Sequence, residues 1–259
     1  MTADHIIRNG AAIVTGAGSG LGRALAHKLA NQGMHVALLG RREPSLIETA
    51  RATPELLHPF VCDVADASAV TTTVAQITTD LGAPRLLINN AAIYPRRDIL
   101  DIPTDAFMDS IAINLGGVVN ATQAVLPHMI KDGIGRILNV ATFADMSPLP
   151  MSSEYSVSKG AARIFTRALI ADIGDRFPDI VVGDWMPGML ATQMGIEDGL
   201  APDAAAGWGA ALALMHDPAL TGTTFEMDRE ILQGSGLKRK LKALLTLSRP
   251  QKPRIITPI

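Results

Sequence analysis

The chain has a single cysteine, Cys62, in 259 residues, so no internal disulfide can form. Its stability must come from burying apolar surface, and a reducing compartment suits it. The six histidines, His5, His27, His35, His58, His128 and His216, show no metal-ligand spacing, which argues against a structural metal. Charge of one sign is missing too. With 23 basic and 25 acidic residues the formal net charge is −2, which leaves no global field for nucleic acid or anionic lipid. No apolar run is long enough to span a membrane, and Met1 to Asn9, with Asp4 and Arg8, has no signal-peptide core. The expectation is a soluble, cytoplasmic protein with a small-molecule partner, no nucleic acid and no membrane span.

What the chain does have is apolar content, 47% of residues, enough for a sizeable core. There is no internal repeat and no low-complexity stretch. Thr15 to Gly22 follows an apolar run, Ala11 to Val14, and opens an amphipathic segment from Gly20 to Asn31. This reads as strand, glycine turn, helix. Gly16, Gly20 and Gly22 can take positive φ and let backbone N–H groups approach phosphate oxygens at the helix N-terminus. Gly33 caps the helix, and His35 to Leu39 completes a βαβ unit ending in Gly40-Arg41-Arg42. A carboxylate there would hold the ribose hydroxyls of NAD and repel a 2′-phosphate. Two guanidiniums favour that phosphate, and hence NADP(H) over NAD(H).

Further strands are expected at His58 to Cys62, Arg85 to Ile88, Arg136 to Val140, Val181 to Trp185 and Thr223 to Met227, making about seven. Asp66 suits an N-cap for a helix over Ala67 to Leu81, and Thr104 to Met129 reads as helical with Asn114 on an otherwise apolar track. Tyr155 and Lys159 stand four residues apart in a helical segment from Glu154 to Ala171, hence on one face. A phenol has a pKa near ~10, and a fixed cation beside it favours the phenolate, so the pair can exchange a proton with an alcohol or carbonyl oxygen.

The order and spacing of these segments resemble the short-chain dehydrogenase/reductase family over about residues 8 to 228, with six separate motifs in sequence. The resemblance implies a single-domain α/β fold, a doubly wound parallel sheet of Rossmann type. It implies that Gly16, Ser19, Gly20, Leu21 and Gly22 bind the cofactor pyrophosphate, with Arg41 and Arg42 at the ribose, Asp63 and Val64 at the adenine and Asn90, Ala91 and Ala92 near the nicotinamide ribose. The family pattern Asn-Asn-Ala-Gly here ends in Ala92. Pro187, Gly188 and Thr192 would hold the carboxamide. Tyr155 and Lys159 would be catalytic, with Asn114 holding a water linked to the lysine. Thr142, thirteen residues before Tyr155, stands where a serine is usual; its hydroxyl is kept, and its methyl restricts rotamers beside the carbonyl.

Two departures concern the pocket. Only Gln193 to Ala201 separates Thr192 from the helix expected at Pro202 to Met215, so the lid common in relatives looks truncated. The chain also continues past the last strand, and Leu237 to Leu247 carries a basic and an apolar face at helical spacing. Residues 1–230 are therefore expected to form the dinucleotide-binding unit, with 231–259 a C-terminal helical extension that replaces the lid or serves as an oligomer contact. Phe143, Met146, Leu149, Met151, Met189 and Met194 suggest an apolar pocket, with Arg96 and Arg97 as anchors for an acidic group. The resulting expectation is an NADP(H)-dependent oxidoreductase, a ketone or aldehyde reductase, working as a homodimer or homotetramer. A non-catalytic cofactor sensor or scaffold, and an isomerase or lyase on the same fold, stand as alternatives.

Overall fold

The computed structural model describes residue 7, residues 9–232 and residues 252–259. The basic amphipathic segment Leu237 to Leu247 lies outside the described residues. Among the described residues, eight strands form one sheet: β1 (Ala11–Thr15), β2 (Val36–Gly40), β3 (Leu57–Val61), β4 (Pro84–Asn89), β5 (Gly135–Val140), β6 (Ile180–Met186), β7 (Thr224–Glu226) and β8 (Arg229–Glu230). Their order is β3-β2-β1-β4-β5-β6-β7-β8, parallel except for β8. The count exceeds the expected seven because Met227, at φ 51, turns the chain back and lets Arg229 and Glu230 pair with Glu226 and Phe225. The order reverses between β1 and β4. In such sheets the crevice beyond the carboxyl ends of the strands at that point receives ligands.

Helices α1 (Gly20–Ala30), α2 (Glu43–Ala50) and α7 (Pro202–Leu214) lie on one side, and α3 (Ala67–Leu81), α5 (Gly117–Asp132) and α6 (Ser153–Ile173) on the other. Each side has its own core. Strands flanked on both faces must be apolar throughout, and β1 is buried at all five residues. Helix α2 was not expected from sequence. It has only eight residues, with a proline in its first turn, and buries little beyond Leu46, Thr49 and Ala50. The stretch expected as one helix from Thr104 is α4 (Thr104–Ile111), a π-helical turn at Ala112–Gly116 and α5. Wide turns of this kind often mark functional sites.

Arg136 is fully buried and donates to the carbonyls of Ile137 and Val181 at 3.0 and 3.2 Å, and at 3.5 Å to Leu212 in the last turn of α7. A cation there opposes the negative end of the helix. Burial nevertheless pulls its pKa down to about 10, against the attraction of Asp184.

The last eight residues return to the body. Arg254 donates to Glu230 at 2.9 Å, the Ile256 N–H to the Asp228 carbonyl at 2.8 Å, and the Ile259 N–H to the Gly207 carbonyl at 3.2 Å. Ile256 is buried in the α1 and α7 core. The Ile231 N–H donates to the Thr224 carbonyl at the amino end of β7, and the Arg254 N–H donates to the Glu230 carboxylate.

Candidate active site

A cleft of about 1520 Å³ runs along the carboxyl ends of the strands. Its floor is the turn after β1. Gly16 and Gly20 have φ of +68° and +51°, values that disfavour any residue with a Cβ. A Cβ at Gly22 would overlap the Gly16 carbonyl oxygen and come within 2.6 Å of Asn90 Nδ2. That asparagine ties the turn to the end of β4. Its Nδ2 donates to the Thr15 carbonyl at 2.9 Å, while the N–H groups of Asn90 and Ala91 both donate to Thr15 Oγ1 at 3.0 Å. The first turn of α1 opens on the cleft, and Ser19 makes no capping bond from its side chain. The leading N–H groups of a helix have no partner within it, so this mouth suits the anionic pyrophosphate of a dinucleotide.

At the end of β2, Arg41 and Arg42 reach the same cleft, and no carboxylate accompanies them on that strand. Arg41 pairs with Asp63, beyond β3, at 3.6 Å, and both side chains are largely exposed. Asp63 also accepts from the Ala65 N–H at 3.0 Å, whereas Asp66 caps α3 through the Ala69 N–H. The Asp66 cap matches the sequence reading.

Tyr155 and Lys159 lie one turn apart on α6, and both line the cleft. Lys159 is buried, with its Nζ donating to the Val140 carbonyl at 2.7 Å. Burial pulls its pKa down to about 8, opposed by the charges of Asp184 and Asp145. Burial likewise pushes the Tyr155 phenol up, against a hydrogen bond with the Thr142 side chain that lowers it. Thr142 Oγ1 also accepts from the Ala144 N–H at 3.2 Å. The substituted hydroxyl thus stands at the phenol, with its orientation set by a backbone donor.

Asn114 is placed differently from Thr142, Tyr155 and Lys159, since it does not line the cleft. It is fully buried in the π-helical turn, accepts from the Ile93 N–H at 2.8 Å and donates to the Ile93 carbonyl and to Ser158 Oγ, each at 2.9 Å. Its described contacts fasten the segment after β4. Pro187, Gly188 and Thr192 follow β6 along the cleft, as do Phe143, Leu149, Met189 and Met194. Met146 and Met151 do not line it. Arg97 turns away to Glu154, leaving Arg96 at the cleft.

The residues between Thr192 and α7 form a short closed loop instead of a lid helix. The Ala191 N–H donates to the Leu200 carbonyl and the Leu200 N–H to the Met189 carbonyl. A Cβ at Gly195 or Gly199 would collide with the Leu190 backbone, so both glycines are needed for the loop to close. Sequence reasoning also missed Tyr94, Ile113, Ile196 and Glu226 as cleft residues. Only Tyr94 carried a signal, an aromatic in a chain with few of them.

Residues 10–201 match the family model described as short chain dehydrogenase. The short-chain reductase protein NovJ of Streptomyces niveus is 35% identical over 186 residues, 71% of this chain and 70% of that protein. A Mycobacterium tuberculosis protein named "Probable oxidoreductase EphD" is 36% identical over 164 residues, 62% of this chain but only 28% of the relative. The chain thus matches under a third of that longer protein. Among solved structures, a gluconate 5-dehydrogenase from Burkholderia cenocepacia in complex with NADP and tartrate superposes with a TM-score of 0.75. It is 27% identical, with 84% of this chain and 92% of that chain covered.

Proposed function

The chain belongs to the short chain dehydrogenase family, and from that premise we propose that it is an NADP(H)-dependent oxidoreductase acting on a largely apolar ketone or aldehyde. One observation carries the reading. Tyr155, Lys159 and Thr142 line one cleft with a glycine turn at a helix N-terminus. When bound, the nicotinamide supplies or accepts the hydride. This chain positions the carbonyl and moves the proton.

In reduction, Thr142 Oγ1 holds the carbonyl oxygen and Tyr155 Oη gives it a proton. A phenol kept protonated by burial suits that direction. As the proton leaves, negative charge grows on Oη, and the Lys159 ammonium one turn along α6 stabilises it. Val140 holds that ammonium by its carbonyl oxygen, which offers a dipole and no proton to compete. Asn114 contributes by fastening Ile93 and thereby the cleft wall.

For the cofactor, Gly16, Ser19, Gly20, Leu21 and Gly22 would take the pyrophosphate, Asp63 and Val64 the adenine, and Asn90, Ala91 and Ala92 the nicotinamide side. Pro187, Gly188 and Thr192 would hold the carboxamide. Arg41 and Arg42 favour a 2′-phosphate, which would draw Arg41 from its loose pairing with Asp63. The solved relative with NADP bound supports this preference. The lining by Phe143, Leu149, Met189 and Met194 supports an apolar substrate.

The test is NADPH consumption, against NADH, with a panel of ketones, aldehydes and quinones. The reading expects substrate-dependent loss of NADPH that Tyr155→Phe abolishes. Cofactor titration by fluorescence adds a readout without turnover. Arg41→Ala should weaken NADPH about tenfold and leave NADH nearly unchanged. NADPH binding with no carbonyl reduced would favour the sensor reading.

A further inference from the structure

Tyr94 and Tyr155 are the only two tyrosines in the chain, and their rings are stacked, with centroids 4.4 Å apart and planes 19° from parallel. We propose that Tyr94 is a specificity-determining residue of this site: its ring, held against that of Tyr155, walls off one side of the phenol and restricts the reaction to carbonyls with slim, flexible substituents. The proposal deepens the reading of Tyr155 as proton donor and rests on it.

The wall is stiff because the segment that carries it is fastened on both sides. Before Tyr94, the N–H and the carbonyl of Ile93 are both bound by the buried Asn114 amide. After it, Arg96 reaches across the cleft to the carbonyls of Met194 and Gly195, and its guanidinium lies 5.4 Å from the centroid of the Tyr94 ring. Arg97 then binds both oxygens of Glu154, at 3.0 and 2.9 Å, and that carboxylate is 1% exposed. Swinging Tyr94 aside would strain these ties, and parting Arg97 from Glu154 would leave a buried charge unpaired. Tyr94 is therefore a fixed surface rather than a flap.

Thr142, Leu149, Met189 and Met194 line the same cleft as the phenol. Methionine and leucine side chains adapt to a narrow alkyl group. A rigid aryl group on the carbonyl carbon needs the room that the Tyr94 ring already fills. Burial of the phenol agrees with this covering.

The experiment compares Tyr94→Ala and Tyr94→Phe with the wild type. Two quantities are read: the ratio of kcat/KM for acetophenone to that for 2-hexanone with NADPH, and ionisation of the remaining tyrosine by absorbance at 295 nm in the ligand-free protein. Each variant keeps only Tyr155, so the optical signal belongs to one residue. Tyr94→Phe should keep the wild-type ratio. Tyr94→Ala should raise it about tenfold, the scale of added room in an apolar pocket, and its phenol should ionise at lower pH than in Tyr94→Phe, because one face gains water. Equal ionisation in the two variants would overturn the wall. An ionisation difference with an unchanged ratio would overturn its role in specificity. Turnover of 2-hexanone unaffected by Tyr155→Phe, with the ionisation difference intact, would instead overturn the catalytic reading and leave the stacking standing.

Discussion

Thr166 Oγ1 donates to the Asp184 carboxylate at 2.7 Å, beneath the helix that carries Tyr155 and Lys159. It ends a one-way chain. Asn89 Nδ2 donates to Asn139 Oδ1 at 2.8 Å, Asn139 Nδ2 donates to Thr166 Oγ1 at 2.9 Å, and the Thr166 hydroxyl donates in turn to the Asp184 carboxylate. Asp184 pairs in register with Asn139, one residue before the Val140 carbonyl that holds Lys159.

Burial pushes Asp184 up to about 6, despite Thr166, Arg163 and Arg167, while Asp145 adds to the rise. A carboxylate with a raised folded pKa costs stability above that pKa, and the cost vanishes below its unfolded value. Raising a carboxyl from its ordinary value to about 6 corresponds to about 3 kcal/mol. Asp184→Asn keeps an oxygen for Thr166 and removes the charge, but it also withdraws the attraction that supports buried Arg136 and Lys159, so its net gain at pH 7.5 should fall short of about 3 kcal/mol and should shrink further at pH 3.5. Thermal or urea unfolding at the two pH values checks this.

The same substitution should reach the active site. Asp184 is the leading charge that keeps Lys159 protonated against burial, so its loss lowers the pKa of Lys159 below about 8. Carbonyl reduction should then fall off at lower pH than in the wild type. An alkaline limb that stays in place in Asp184→Asn would contradict this coupling.

Gly22→Ala tests the packing of the glycine turn. Its new Cβ would press on the Gly16 carbonyl and on Asn90 Nδ2. Backbone cannot yield as a flexible side chain can, and overpacking of this kind costs about 1–3 kcal/mol. Dinucleotide affinity should fall more than tenfold by titration, with a lower Tm.

Glu230 and Arg254 hold the carboxyl terminus against β8. Burial alone would raise the Glu230 carboxyl, but three contributions from Arg254, two hydrogen bonds and its charge, bring it below the usual range. A depressed carboxyl contributes stability above its unfolded pKa and loses it as pH falls through the folded one. Glu230→Gln should cost about 1–3 kcal/mol at neutral pH. It should also speed hydrogen exchange of the Ile256 amide, which donates to Asp228. Once the pH falls below the lowered pKa of Glu230, the variant and the wild type should converge.

Much of this architecture was legible in the residues. The Asp66 cap and the helix over Ala67–Leu81 were read to the residue, because a short acceptor before an apolar periodic run can satisfy the helix N–H groups locally. The strands were found within a residue or two, since a sheet covered on both faces demands apolar runs. Helix α2 escaped because it is short and buries few side chains, and β8 because two residues carry no periodicity.

The sequence by itself determined the strand-turn-helix at Thr15 to Gly22, the shared face of Tyr155 and Lys159 and the basic end of β2, since each depends on residues close together in the chain. Only the tertiary structure decided what stands against them. It set Tyr94 on Tyr155, 61 positions away, turned Asn114 toward Ile93, gave Arg97 to Glu154 and laid Asp184 beneath Thr166. Those partners come from different strands and helices. Their meeting follows from sheet order and helix packing, which no local spacing encodes.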